Sequence, residues 1–239
     1  MNYSMKCSNL NLFILIALAC FSMCFGPAFG LAGISGKDQV YAQGVIAQTR
    51  DNMDRAVHFF QEAAGEGYDM AQYSLGEVYY YGKGVDQNYL EAFKWYLLAA
   101  KQGNVAAQVA VGAMYAKGRG IKQDYAEANR WFFSAGNKGN AFAQYNMGTA
   151  YEHGLGIQKD ETQAFKWFLR AAGNGIAQAQ LIVGNRYAEG RGTRQDSVKA
   201  YFWANKAADQ ELSAAITARD EMAKTLTPAR LRQRWMKIL

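Results

Sequence analysis

The apolar positions of this chain recur with a helical period, and that pattern itself repeats. Ala71, Leu75 and Tyr79 stand at i, i+4 and i+8, a spacing that lines one face of a helix. Further on, Ala92, Trp95, Ala99 and Gly103 trace a second stripe of the same kind. A shift of 36 residues lays four consecutive segments over one another without a gap, from Ala71 to Asp209. The first helix of each unit, helix A, carries the columns Ala71, Ala107, Ala143 and Ala179; Gln72, Gln108, Gln144 and Gln180; Gly76, Gly112, Gly148 and Gly184; and Tyr79, Tyr115, Tyr151 and Tyr187. The second, helix B, carries Ala92, Ala128, Ala164 and Ala200; Trp95, Trp131, Trp167 and Trp203; and Ala99, Ala135, Ala171 and Ala207. A period in this range marks a solenoid, in which each unit buries its apolar face against its neighbours.

The polar residues between the stripes predict where the helices start and stop. Gly82-Lys83-Gly84 and its equivalents fall where helix A must end, and Gly82 can take the left-handed conformation of a C-terminal cap. Asn88, Asp124, Asp160 and Asp196 share the N-cap column of helix B, with Glu91, Glu127 and Gln163 three residues later, which predicts a capping box in three units. Lys199 leaves only the forward cap in the fourth. Two antiparallel helices of about 12 to 15 residues per unit follow. Small Ala71 and Gly76 are expected to admit a neighbouring helix closely, and the tryptophan column reads as core.

The fold class expected is therefore all-α, a right-handed superhelical solenoid of antiparallel helix pairs, with full units over 68–103, 104–139, 140–175 and 176–211. Residues 31–67 read as a degenerate first repeat: Ala56, Phe59, Ala63, Ala64 and Gly67 match helix B, and the Gly44 region supplies a shortened helix A without the Gly-x-Gly loop. Residues 212–239 read as capping helices, one over roughly 213–225 and a last one opened by Thr227-Pro228 and carrying Arg230, Arg232, Arg234 and Lys237.

Residues 1–30 read as a signal peptide, with Lys6 as the positive start and an uncharged run from Leu10 to Phe25 too short for a confident membrane span. Ala28 and Gly30 set cleavage after Gly30; the alternative is lipidation at Cys20, after Leu18-Ala19. Cys7, Cys20 and Cys24 all fall in this segment, so the mature chain from Leu31 holds no disulfide and no thiol chemistry. The expected location is the periplasm or outside the cell, with membrane contact only through Cys20 or an uncleaved signal. The net charge is +6, yet basic and acidic residues interleave along most of the chain, which together with export argues against nucleic acid as a partner.

No Ser-x-x-Lys, His-Glu-x-x-His, phosphate-loop or calcium-loop pattern occurs, so no catalytic residue, metal site or cofactor is expected. His58 and His153 lie in different repeats without metal-ligand spacing, and Asp160 beside Glu161 is explained by capping and solvation. The helix A face opposite the stripe is more informative. It carries Tyr73, Glu77 and Tyr80, then Val109 with Ala113 and Ala116, then Tyr145, Thr149 and Glu152, then Leu181, Asn185 and Ala188. A merely solvated face would hold more charge. Tyr73, Glu77, Tyr80, Val109, Tyr145, Thr149, Leu181 and Asn185 are therefore candidates for a concave groove that receives a peptide or extended segment. The same strip could instead pack the A helices of adjacent repeats together, and both uses can coexist.

The pattern Ala-Gln-x-x-Leu-Gly-x-x-Tyr, Gly-x-Gly, Asp-x-x-x-Ala-x-x-Trp-x-x-x-Ala-Ala-x-x-Gly resembles the Sel1-like repeat, a relative of the tetratricopeptide repeat, over most of the chain. The resemblance implies a curved, non-enzymatic adaptor that organises protein complexes, and exported bacterial members act in envelope assembly, signalling or contact with host cells. A cysteine-rich branch with paired cysteines in each repeat is linked to penicillin-like compounds. That gives an alternative reading, a binding protein or hydrolase for peptidoglycan fragments or such compounds, from which this chain departs by lacking those cysteines.

Overall fold

The computed structural model describes residues 36–224 and Leu226. The expected signal peptide, Cys20 and the expected basic final helix lie outside the described residues. Eleven helices and no strand are present among the described residues: α1 (Gly36–Thr49), α2 (Met53–Gly65), α3 (Asp69–Tyr81), α4 (Tyr89–Lys101), α5 (Val105–Lys117), α6 (Tyr125–Asn137), α7 (Ala141–His153), α8 (Glu161–Gly173), α9 (Ala177–Glu189), α10 (Ser197–Ala208) and α11 (Ser213–Lys224). The fold is an all-α repeat fold. The described residues divide into two compact units, with the boundary between Ala107 and Gln108.

Helix ends follow the sequence closely. Gly82, Gly154 and Gly190 are left-handed C-caps of α3, α7 and α9, and Gly82 N–H donates to the Val78 carbonyl. The N-cap side chains of Asn88, Asp124, Asp160 and Asp196 each accept from a backbone N–H in the first turn of helix B. The returning arm of the capping box is replaced. The N–H of Asn88 donates to the Tyr79 carbonyl at 2.9 Å, and Asp124, Asp160 and Asp196 do the same to Tyr115, Tyr151 and Tyr187. With that donor satisfied by the tyrosine column's backbone, Glu91 and Glu127 turn to Lys94 and Arg130 instead.

Within a repeat, three contacts fix the antiparallel register of α3 and α4. Gln102 Nε2 donates to Gln72 Oε1 at 2.7 Å, the Tyr96 ring sits against Gly76, and Asn88 meets Tyr79 at the far end. In the second unit α7 and α8 repeat this arrangement with Asn174 on Gln144 at 2.8 Å, Phe168 on Gly148, and Asp160 on Tyr151. The glycine column is thus a seat for a ring rather than for a helix backbone. A methyl group at Gly112 would lie 2.8 Å from the Phe132 ring, and one at Gly148 would lie 2.6 Å from Phe168. Only at Gly184, whose partner is Ala204, does the backbone of helix B itself come close.

The deep core position of helix B is accordingly one residue past the tryptophan. Phe60, Tyr96, Phe132 and Phe168 are buried, whereas Trp95, Trp131 and Trp203 are half-buried and only Trp167 is covered. The glutamine column is buried as well. Gln72, Gln144 and Gln180 each donate to a carbonyl at the end of the preceding helix B: Ala64 at 3.3 Å, Gly136 at 2.9 Å and Ala172 at 3.1 Å. Each of these carbonyls also accepts a backbone N–H from the turn that follows it, from Gly67, Gly139 and Gly175 respectively, so the glutamine takes a second acceptor site on it. The buried side-chain amide is thereby satisfied, and each glutamine joins successive repeats.

Two glycine substitutions should diverge. Gly112→Ala is expected to destabilise by about 1–3 kcal/mol through overpacking against Phe132. Gly173→Ala, where a methyl group meets nothing within 4 Å, is expected to be neutral or stabilising by up to about 1 kcal/mol. Urea unfolding of the two variants beside the wild type measures both.

Candidate protein-binding face

The outer face of helix A is built on the buried ring beneath it. In the first unit the Tyr73 ring lies 5.5 Å from Tyr96, and Tyr80 lies 6.4 Å from Tyr96, 4.9 Å from Tyr81 and 5.1 Å from Tyr89. Tyr73 OH donates to Glu77 Oε1 at 3.1 Å. Burial pushes the Tyr73 and Tyr96 phenols well above the ordinary tyrosine value, and the charge of Glu77 adds to it. Tyr73, Glu77 and Tyr80 are half-buried and close together on α3. Tyr81, which the sequence reading did not select, is 57% exposed beside them.

In the second unit Tyr145 packs edge-on against Phe168 at 5.5 Å, and Thr149 donates its hydroxyl back to the Tyr145 carbonyl at 3.2 Å. Both are half-buried on α7, as is Val109 on α5. Leu181 leans on the cluster of Ala207, Ala208 and Ala215, and Asn185 is exposed on α9. The structure thus gathers Tyr73, Glu77 and Tyr80 into one cluster and Tyr145 and Thr149 into another. Helix A also meets the next helix A through this side of the fold: Tyr41 on α1 lies 3.4 Å from Ser74, and Arg186 on α9 reaches Glu152 on α7 at 2.7 Å.

That arginine was not foreseen. It occupies the column of Val78, Met114 and Ala150, all core residues, and is itself only 2% exposed. Its guanidinium pairs with Glu152 at 2.7 Å and Glu161 at 2.9 Å, and Arg191 pairs with the same two carboxylates at 2.8 and 3.1 Å. Among the described residues Arg186 Nε has no hydrogen-bond partner, and its guanidinium stands 5.4 Å from the centroid of the Phe168 ring. Burial opposes ionisation of Glu161, but hydrogen bonds from Arg191 and Arg186 outweigh it and lower its pKa to about 2. A charged residue in an otherwise apolar column was the readable signal.

Chemistry on this face is limited by these commitments. Asp160 accepts from Thr162 and Gln163 N–H at 2.8 and 2.9 Å, and Glu161 is held by arginines, so neither carboxylate is poised for acid–base work. His58 and His153 are exposed. Among the described residues no group of three or more His, Cys, Asp and Glu could hold a metal ion, and no helix is long and apolar enough to cross a membrane.

The Sel1 repeat profile matches residues 28–68, 69–104, 105–140, 141–176 and 177–212. Among solved structures, the chain is similar to c5321, described as a protective antigen present in uropathogenic Escherichia coli strains displaying an SLR fold, with 31% identity and a TM-score of 0.72 over 84% of this chain and 44% of that one. It is also similar to a Sel1 repeat protein from Oxalobacter formigenes, with 34% identity and a TM-score of 0.70 over 78% of this chain and 55% of that one. Among curated proteins, a 72-residue stretch is 36% identical to an exopolysaccharide production negative regulator of Rhizobium meliloti (strain 1021), covering 30% of this chain and 27% of the relative. The chain spans about half the length of the solved relatives and about a quarter of the curated one.

The sign of the Glu161 shift makes a pH prediction. A carboxylate with a lowered folded pKa contributes stability that is complete above its ordinary value of 4.5 and is lost as pH falls toward about 2. Urea midpoints of wild type should fall through that window, and Glu161→Gln should flatten the fall. An unchanged slope in the variant would show that the arginine pairs carry no such linkage.

Proposed function

The chain belongs to the Sel1 repeat family, whose members mediate protein–protein interaction, and on that premise we propose that it is a non-enzymatic adaptor that holds a partner protein on the outer face of its A helices. The observation that carries this reading is the state of the face tyrosines. Tyr73, Tyr80 and Tyr145 stay part-exposed while each is braced against a buried ring. A braced aromatic offers a large amphipathic contact with little rotamer entropy left to lose, which is the character of an interface anchor. The partner is a protein or extended peptide segment rather than a nucleic acid. The resemblance of one stretch to a negative regulator agrees with action by binding.

The adaptor is further proposed to act after export, in the periplasm or outside the cell, on the support of Lys6 and the uncharged run from Leu10 to Phe25. The mass of the amino terminus of protein recovered from envelope fractions tests this. Cleavage after Gly30 and lipidation at Cys20 give different masses, and an intact amino terminus contradicts export by either route.

The binding face is tested by affinity capture from envelope extract with three forms of the chain. Tyr73→Ala/Tyr145→Ala and Asn185→Arg alter the helix A face, the latter at an exposed site that supports no core. Leu98→Ser/Phe133→Ser alters two exposed apolar residues of helix B. Retained proteins should fall at least about tenfold with the first two and persist with the third, given circular dichroism matching wild type. Loss confined to the helix B variant would contradict the assignment of the face.

A further inference from the structure

Glu77 is an unusual carboxylate for its surroundings. It is half-buried on α3, and its one hydrogen-bond partner among the described residues is the Tyr73 hydroxyl. No lysine or arginine among the described residues pairs with it. Elsewhere in the fold a half-buried carboxylate on this side is paired: Glu152, three positions further along the equivalent helix, holds Arg186 and Arg191. Taking a charge partly out of water without a counter-ion is costly, and the neighbouring phenols supply only one donor.

The rings around it are arranged to receive a cation. Tyr73, Glu77 and Tyr81 follow at i, i+4 and i+8, which stacks them along one stripe of α3. The outermost ring already attracts one: Lys83 Nζ stands 5.2 Å from the Tyr81 centroid. Aromatic faces beside a carboxylate are the environment that an ammonium or guanidinium group prefers. The local field agrees. Residues 36–107 hold nine acidic and six basic side chains, although the chain as a whole carries +6.

We propose that Glu77, flanked by the rings of Tyr73 and Tyr81, is the receptor for a lysine or arginine side chain of the partner segment. This rests on the adaptor reading and adds the chemistry of what is bound. The carboxylate takes the charge, the rings take the aliphatic stem and the edge of the cation, and helix A sets their spacing.

The test is a titration of the full chain with a capped tetralysine peptide at low ionic strength, followed by the NMR ring signals of Tyr73 and Tyr81, with capped tetraglutamate as the comparison. Tetralysine should shift those signals and tetraglutamate should not. Glu77→Gln, which keeps the shape and an acceptor for Tyr73, should weaken tetralysine binding about tenfold, the loss expected for one charge-assisted contact. Glu62→Gln makes the same charge change at an exposed site on α2 and should leave affinity unchanged. Equal weakening by Glu62→Gln, wild-type affinity in Glu77→Gln, or absence of tetralysine binding each overturns the receptor. The two readings fail separately. A partner captured by wild type and equally by Glu77→Gln removes the receptor and leaves the adaptor standing, whereas capture of nothing by wild type removes the adaptor and leaves the titration to judge the receptor.

Discussion

The aromatic ring of helix B seated against a glycine of helix A is the contact on which the first four repeats depend, and in the last the backbone at Ala204 takes its place. Phe60 on Gly44, Tyr96 on Gly76, Phe132 on Gly112 and Phe168 on Gly148 recur through both units. The contact survives in the first repeat, where the two residues are only 16 apart in sequence instead of 20. A side chain on the glycine would push the helices apart, and interiors packed at crystal density have no slack to absorb it. The same ring then braces the outer tyrosines, since Tyr73 and Tyr80 rest on Tyr96 and Tyr145 rests on Phe168. The candidate binding face is therefore a consequence of how the core is closed.

Polar groups do the work of register. A hydrophobic stripe can slide by a turn at small penalty, whereas Gln144 must meet Gly136 on one side and Asn174 on the other or be left buried and unsatisfied. The fourth repeat adds Arg186, which anchors α9 to Glu152 on α7 and Glu161 at the start of α8. A buried ion pair of this kind adds little net stability because desolvation offsets the attraction, yet removing one partner strands a charge. What it ties together is α9 with both α7 and α8.

Most of the fold could be read from the chain because the period is strict. Repeat length, helix pairing, the glycine stops and the forward caps follow from columns of identical or equivalent residues. The tryptophan column was misplaced because identity was taken as the measure of burial. Trp95 and its equivalents drew attention as an unvarying column, but Tyr96, Phe132 and Phe168 are the buried ones, and that column varies because any ring, or Ala204 with a closer backbone, satisfies the seat. The glutamine column was visible but its partners are carbonyls, which a sequence does not display. Of the site, the clustering of Tyr73, Glu77 and Tyr80 was legible from helical spacing. Tyr81 has no aromatic equivalent in the other units to point to it, and Arg186 was marked only by its charge in the apolar column of Val78, Met114 and Ala150.

The central claim is that ring and glycine form one coupled unit, and a double-mutant cycle between positions 148 and 168 tests it most directly. Unfolding free energies are needed for wild type, Gly148→Ala, Phe168→Ala and the double variant. The account predicts that the added methyl group, destabilising beside Phe168, becomes harmless or helpful once the ring is gone, with a coupling of about 1–3 kcal/mol. Additive effects within about 0.5 kcal/mol would contradict it, and would mean that the glycine is present for some reason other than the ring it carries.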